Sequence, residues 1–262
     1  YLADIAQPTV ALVNNAQREH QEFMGTVEAT AHENGAALSA LPESGHAVFP
    51  ADDACAPIWR ALAKDRDILD FGFKNPARIQ ARWQSQADGM ILTLKTPQGT
   101  IEPRLALAGA HNAHNAAAAA AAALAAGLSL ADVLQGLERF RPVTGRGVIL
   151  RSTRGATLID DSYNANPDSV LAAIDLLADR PAPAYLILGD MGEVGEKGPE
   201  FHAEVGLYAR ERGLAGLITF GVLARSASKA FDGAEARHVE SFEALLEAVE
   251  PLATREATLL IK

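Results

Sequence analysis

From residue 156 to the end of the chain, short apolar runs alternate with longer stretches of helical composition, and few folds accept that order. The runs fall at 156–159, 184–188, 216–220 and 257–261, with a more polar strand-like stretch at 237–240 among them, and helical stretches at 167–178, 199–212, 222–231 and 242–252 lie between. A strand covered on both faces reads as an unbroken apolar run, because neither face meets water. Such strands in alternation with helices imply parallel pairing through right-handed crossovers, that is, a doubly wound α/β sheet. Open sheets of this kind bind ligands at the carboxyl ends of their strands. The first of those ends is the most heavily loaded. The run 156–159 leads directly into Asp160-Asp161-Ser162-Tyr163-Asn164-Ala165-Asn166-Pro167. Asn166 offers a helix N-cap and Pro167 suits the first helical position. Strand alternation sends Asp160 and Asp161 to opposite faces, one to anchor the loop and the other to meet a ligand. The alternative is an Asx-rich turn that leads into a capped helix and nothing more.

The first half of the chain is patterned differently. Residues 9–13 read as a buried strand, 14–25 as a loop and 26–41 as a helix that Gly35 weakens. A strand at 46–50 and a helix at 52–64 follow, the latter capped by Asp52 or Asp53. Next comes a β-rich stretch at 68–73, 77–86, 90–96 and 100–107, with hairpin turns at Asp88-Gly89 and Gln98-Gly99. Helices at 112–126 and 130–140 are parted by Gly127, with Ser129 as the second cap. The alanine run 116–123 has no bulk, which suits close packing on a neighbour. Arg141-Pro142-Val143-Thr144-Gly145 punctuates the chain, and we place a domain boundary there, giving residues 1–142 and 143–262.

Composition narrows the function classes. A net charge of −10 argues against a general nucleic-acid binder or a membrane-surface protein, while leaving room for a local cationic pocket. Cys55, the only cysteine, cannot form an internal disulfide and fits a reducing compartment as a small packed side chain. No apolar run has the length or hydropathy of a membrane span. The chain starts at Tyr1 and stops at Lys262 inside a strand-like run, so a fragment is expected.

The ordered cluster at 160–167 resembles the C-terminal domain of the Mur ligases, ATP-dependent amide-forming enzymes of peptidoglycan precursor synthesis. Further segments match in order: Asn14-Asn15 with His20 and Gly25, 41–45, Gly109-Ala110-His111-Asn112 with Asn115, Gly145-Arg146, 189–193, and His202 with Gly206. Leu260-Ile261-Lys262 looks like the start of the family's Lys-Gly-Ser-Arg segment. The wording is most similar to the branch that adds D-alanyl-D-alanine to UDP-N-acetylmuramoyl-tripeptide. A different ligase of the superfamily, such as a folylpolyglutamate synthase-like enzyme, and a non-catalytic nucleotide-binding module are the alternatives.

The resemblance implies the remainder of a central ATPase domain followed by a Rossmann-like C-terminal domain. It implies ATP and Mg²⁺ as cofactors, the tripeptide nucleotide and D-alanyl-D-alanine as substrates, a cytoplasmic setting and a monomer. It assigns His20 to magnesium and to catalysis, and His111, Asn112 and Asn115 to the adenine. Asn112 and Asn115 share a helix face, and carboxamides both donate to and accept from a base edge. Arg146 is assigned to a phosphate, which its planar fork suits. Asp161, with Tyr163 and Asn164 close by, is assigned to the ribose side. Asp190 in Gly189-Asp190-Met191-Gly192-Glu193 is assigned to catalysis, where its carboxylate holds the incoming ammonium or orients a loop. His202 reads as structural. One family motif, which the family places upstream of Tyr1, is absent, and one position departs from the family. No Gly-x-x-x-x-Gly-Lys-Ser/Thr occurs in the chain, so ligation by residues 1–262 alone is not expected. Asn34 stands where many members carry a lysine that becomes carbamylated, leaving Glu33 or another oxygen to substitute.

Overall fold

The computed structural model describes residues 1–86, 89–233 and 235–262. The chain forms two compact units, Tyr1–Gln17 with Met24–Arg141, and Arg18–Phe23 with Pro142–Lys262.

The first unit begins with α1 (Leu2–Ala6) and β1 (Val10–Leu12); the one-turn helix α2 (Gln21–Met24) follows, most of it in the second unit. Then come α3 (Val27–Ser39), β2 (His46–Val48), α4 (Ala56–Ala63) and β3 (Asp67–Ile68). The three strands pair in parallel in chain order. Helices α3 and α4 close over them around Leu38, Phe49 and Trp59, and the Trp59 Nε1–H donates to the Ala31 carbonyl at 2.9 Å. Gly35 costs α3 helical propensity, but a Cβ there would lie 2.5 Å from Leu62 Cδ1. Its bareness is what lets α4 come close.

The cap expected for α4 is not there. The helix starts later, at an N-cap Cys55 whose side chain makes no capping bond. Asp52 instead accepts the amides of Phe73, Lys74 and Asn75, which lowers its pKa against the opposing effect of burial. Asp53 accepts from Cys55 and Ala16. For Asp52, free amides in a distant loop competed with those of the helix and won.

The second sheet of this unit holds β4 (Phe71–Gly72), β5 (Ile79–Gln86), β6 (Gly89–Thr96), β7 (Gly99–Ile101) and β8 (Arg104–Leu105), ordered β4-β5-β6-β7 with β8 also on β6. Only β4–β5 is parallel. Asp88 of the first expected hairpin turn lies outside the described residues. The second turn sits at Pro97-Gln98, with Gly99 already paired to Thr96. Helix α5 (Ala110–Ala125) lays its alanine face on this sheet, burying Ala113, Ala117 and Ala121 completely. Helix α6 (Leu130–Arg139) follows, with Ser129 and Asp132 forming a reciprocal capping box.

The second unit is one six-stranded sheet. Its strands are β9 (Val148–Arg151), β10 (Thr157–Asp160), β11 (Ala184–Leu188), β12 (Gly216–Phe220), β13 (Ala236–Val239) and β14 (Thr258–Ile261). They lie in the order β13-β12-β11-β14-β10-β9, parallel except for the edge strand β9. Helices α7 (Pro167–Ala178), α8 (Gly198–Glu211) and α9 (Arg225–Phe231) pack on one face through Ile174, Leu177, Val205 and Phe231 against Leu186, Leu188 and Leu217. Helix α10 (Phe242–Val249) covers the other face through Leu245 and Val249, against Ile187 and Leu259. Successive residues of β11 therefore enter opposite cores, which is why the run is apolar throughout. Among the described residues, no helix is long and apolar enough to cross a membrane.

Candidate functional site

In the first unit, polar groups gather where β1 ends and α5 begins. Gly109, at φ +93, turns the chain into α5. Asn112 Nδ2 donates to the Ala108 carbonyl at 2.8 Å, fastening the first turn. Asn115 Oδ1 accepts from Asn14 Nδ2 at 2.9 Å. His114 Nε2 meets the Asn14 carbonyl at 3.0 Å, and its ring packs edge-on to Phe71 and stacks near Phe73. Since a carbonyl only accepts, that nitrogen carries the proton. Pattern reading passed over His114, which ties the exit of β1 to α5 and whose partners lie far off in sequence. Asn14 Oδ1 is buried and has no donor within reach. His111 sits half-buried at the same helix start. Asn34 Nδ2 reaches the Asn15 carbonyl at 3.4 Å, so this residue braces the segment 14–15.

In the second unit the carboxyl edge of the sheet carries the charged groups. Asp160 accepts from the Gly145 amide at 3.1 Å and from the Ser162 hydroxyl at 2.6 Å, with the Ser162 amide adding to these. The Ser162 hydroxyl bond chiefly, then those amides, hold its carboxyl below the usual range. Asp161 points the other way, onto Lys262 Nζ at 2.5 Å, and the lysine is almost wholly buried. Asn166 and Ser169 form a reciprocal cap on α7, with Pro167 at its first position. Tyr163 is exposed, and the Arg146 guanidinium lies 3.9 Å from its ring centroid. Asn164 Oδ1 accepts from the Ala165 amide.

Of the two roles expected for Asp190, its contacts are those of a loop-orienting carboxylate. Its two oxygens accept the amides of Val222, Leu223 and Ala224 at 2.9, 2.9 and 2.8 Å. A carboxylate that accepts three backbone donors orients the turn that enters α9. The carboxylate beside His20 is Glu193, whose Oε2 meets His20 Nδ1. His202 is completely buried, with Nδ1 bonded to the Gly198 carbonyl and Nε2 accepting the Met191 amide. Burial foremost pushes its pKa down.

Sequence reading also missed Arg18. It donates to Asp168 through its amide at 2.8 Å, Nε at 2.9 Å and Nη2 at 2.7 Å, and to Glu204 through Nη1 at 2.7 Å. The guanidinium also lies 5.3 Å from the Phe201 ring centroid. The bond to Glu204, followed by those to Asp168, raises its pKa further against the cost of burial. The one available signal was an arginine two residues before His20. Its partners lie some 150 and 186 positions away. Among the described residues, no three His, Cys, Asp or Glu side chains gather as a metal-binding set.

Residues 1–123 match the Mur ligase middle domain, and residues 145–262 match the Mur ligase, glutamate ligase domain. The UDP-N-acetylmuramoyl-tripeptide–D-alanyl-D-alanine ligase of Haemophilus influenzae is 34% identical over 233 residues, covering 89% of this chain and 50% of that protein. The Escherichia coli enzyme of the same name is 31% identical over 232 residues, covering 88% and 51%. A solved structure of MurF from Acinetobacter baumannii superposes with a TM-score of 0.89 at 30% identity, over 99% of this chain and 57% of that one. The chain thus spans about half the length of the curated relatives it matches. Two domain models in tandem and a fold shared along its whole length place the chain in one family, and it belongs to the Mur ligases.

Proposed function

We propose that this chain supplies the central ATP-binding part, residues 1–142, and the Rossmann-like ligase part, residues 143–262, of an ADP-forming peptide ligase. The reaction adds D-alanyl-D-alanine to UDP-N-acetylmuramoyl-tripeptide in peptidoglycan precursor synthesis, in the cytoplasm. The observation that carries this reading is the 34% identity over 233 residues to a relative of that activity. The terminal phosphate of ATP passes to the tripeptide carboxylate, and the dipeptide amine attacks the acyl phosphate. The tetrahedral adduct collapses to amide and inorganic phosphate. Such chemistry rests on positioning and on neutralising phosphate charge.

The residues present suit these ligands. The buried Asn14 Oδ1 lacks a donor next to Asn115, and an adenine amino group is one. Asn112 and Asn115 present carboxamides on one face of α5. Arg146 is an exposed guanidinium for a phosphate, and Asp161 and Tyr163 flank the same sheet edge on the ribose side. For Mg²⁺ the chain brings His20 with Glu193 beside it. That cation keeps several waters and takes phosphate oxygens, so a small protein share fits it. When bound, the ion draws charge from the phosphates.

Phosphate release by the complete enzyme tests the reading. Release is expected only when ATP, Mg²⁺, the tripeptide nucleotide and D-alanyl-D-alanine are all present. Release with a single amino acid or a folate substrate instead would move the chain to another branch of the superfamily. Binding of ATP with Mg²⁺ in calorimetry without phosphate release under any of these conditions would leave a non-catalytic nucleotide-binding module.

A further inference from the structure

We propose that His202 is a positioning residue, whose neutral imidazole braces the loop 189–195 so that Glu193 meets His20. The inference extends the ligase reading, and only the kinetic part of its test depends on that reading.

The ring sits in α8 with no exposure, and both of its nitrogens are engaged. The Gly198 carbonyl at 2.7 Å requires Nδ1 to carry the proton. The Met191 amide, donating at 3.0 Å, requires Nε2 to be bare. A leucine or phenylalanine would fill the same space and leave the buried Met191 N–H without an acceptor, which is costly for a buried donor. The imidazole therefore does something that packing alone does not ask for, which is to fix the backbone at Met191.

Met191 is the last of three consecutive fixed points. The Gly189 amide donates to the Lys262 carbonyl at 2.9 Å, Asp190 holds the 222–224 turn, and Met191 is held by His202. Glu193 follows two residues later at φ +56, and its carbonyl accepts the Glu22 amide at 3.2 Å. Opposite it, His20 stands at φ +52. Two side-chain-bearing residues in the left-handed region face each other, a conformation unfavourable for each that persists only when its surroundings impose it. The carboxylate at Nδ1 holds the His20 ring in place, the arrangement by which a neighbouring acid orients an imidazole ligand.

The test compares His202→Gln, His202→Asn and His202→Phe in the chain as it stands. The glutamine carboxamide reaches the place of Nε2 and keeps an acceptor for Met191; asparagine reaches only the place of Nδ1; phenylalanine supplies neither. By residue-resolved hydrogen exchange, the Met191 and Glu22 amides are expected to exchange at least ~10-fold faster in the asparagine and phenylalanine variants. The amides of β11 and β12 keep their rates, and glutamine restores protection. Should the phenylalanine variant not fold, the asparagine and glutamine pair decides alone. In the complete enzyme, His202→Asn and Glu193→Ala each lower kcat by ~10–100-fold, with KM for ATP unchanged. The double variant is no worse than the worse single one. Unchanged exchange at Met191 and Glu22, or additive kinetic losses, overturns the proposal. If the wild-type enzyme forms no amide, the ligase reading fails, while the exchange result still decides the bracing.

Discussion

Two loops leave the carboxyl edge of the same sheet, and they are held in opposite ways. The loop after β10 is braced mainly by its own residues, with Gly145 adding bonds from 15 to 18 positions back. Asp160 bonds to Ser162, and Asn166 and Ser169 cap α7 reciprocally. The loop after β11 is braced from afar. Asp190 reaches 32 to 34 positions along the chain to the 222–224 turn, and Met191 reaches 11 to His202. Each loop opens with an anchoring acid and then turns a second acid towards a cation or an imidazole, Asp161 to Lys262 and Glu193 to His20. Near-neighbour bracing tolerates distortion elsewhere in the unit. Remote bracing makes a loop answer to the helices behind it.

The largest effect is expected at Gly221, which sits at φ +120 with a Cβ position 2.4 Å from Asp190 Oδ1. Gly221→Ala combines a conformation poorly tolerated by alanine with a collision on the anchor, and should cost ~3 kcal/mol in urea unfolding. Asp190→Ala comes next at ~2 kcal/mol, because three amides lose one charged acceptor. Asn166→Ala, in the locally braced loop, should cost ~1 kcal/mol, as loss of a helix cap does. A larger loss for Asn166→Ala than for Asp190→Ala would erase the contrast between the loops.

The smallest effect is a pH dependence. The folded chain holds the His202 pKa below the 6.5 of the free side chain, so the unfolded chain takes up the proton first as pH falls. The stabilising contribution of His202 is complete above about 6.5 and declines below it. Unfolding midpoints measured across that range should fall more steeply for the wild type than for His202→Gln.

The same contrast explains what could be read from the chain unaided. The strands of the second unit and the cap at Asn166 follow from periodicity and neighbours, and the structure has them within a residue or two of the expected positions. Helix α9, by contrast, starts at Arg225 instead of 222, because Asp190 holds 222–224 as a turn. The misplaced cap of α4 has the same origin, since Asp52 serves residues 73–75. The pairings of Glu193 and Arg18 were illegible because a side chain that is solvated in isolation looks identical to one awaiting a partner far along the chain. Hydrophobic period carries no information about such pairs.

Helix α5 lies on its sheet almost entirely through methyl groups, with Ala113, Ala117 and Ala121 fully covered. A methyl has no alternative rotamer and loses no side-chain freedom on burial. The contact therefore has no soft joints that could absorb a displacement. If a ligand nudges Asn112 or Asn115 at one end, the helix must tilt as a stiff rod, and the far end near Leu124 will register the push.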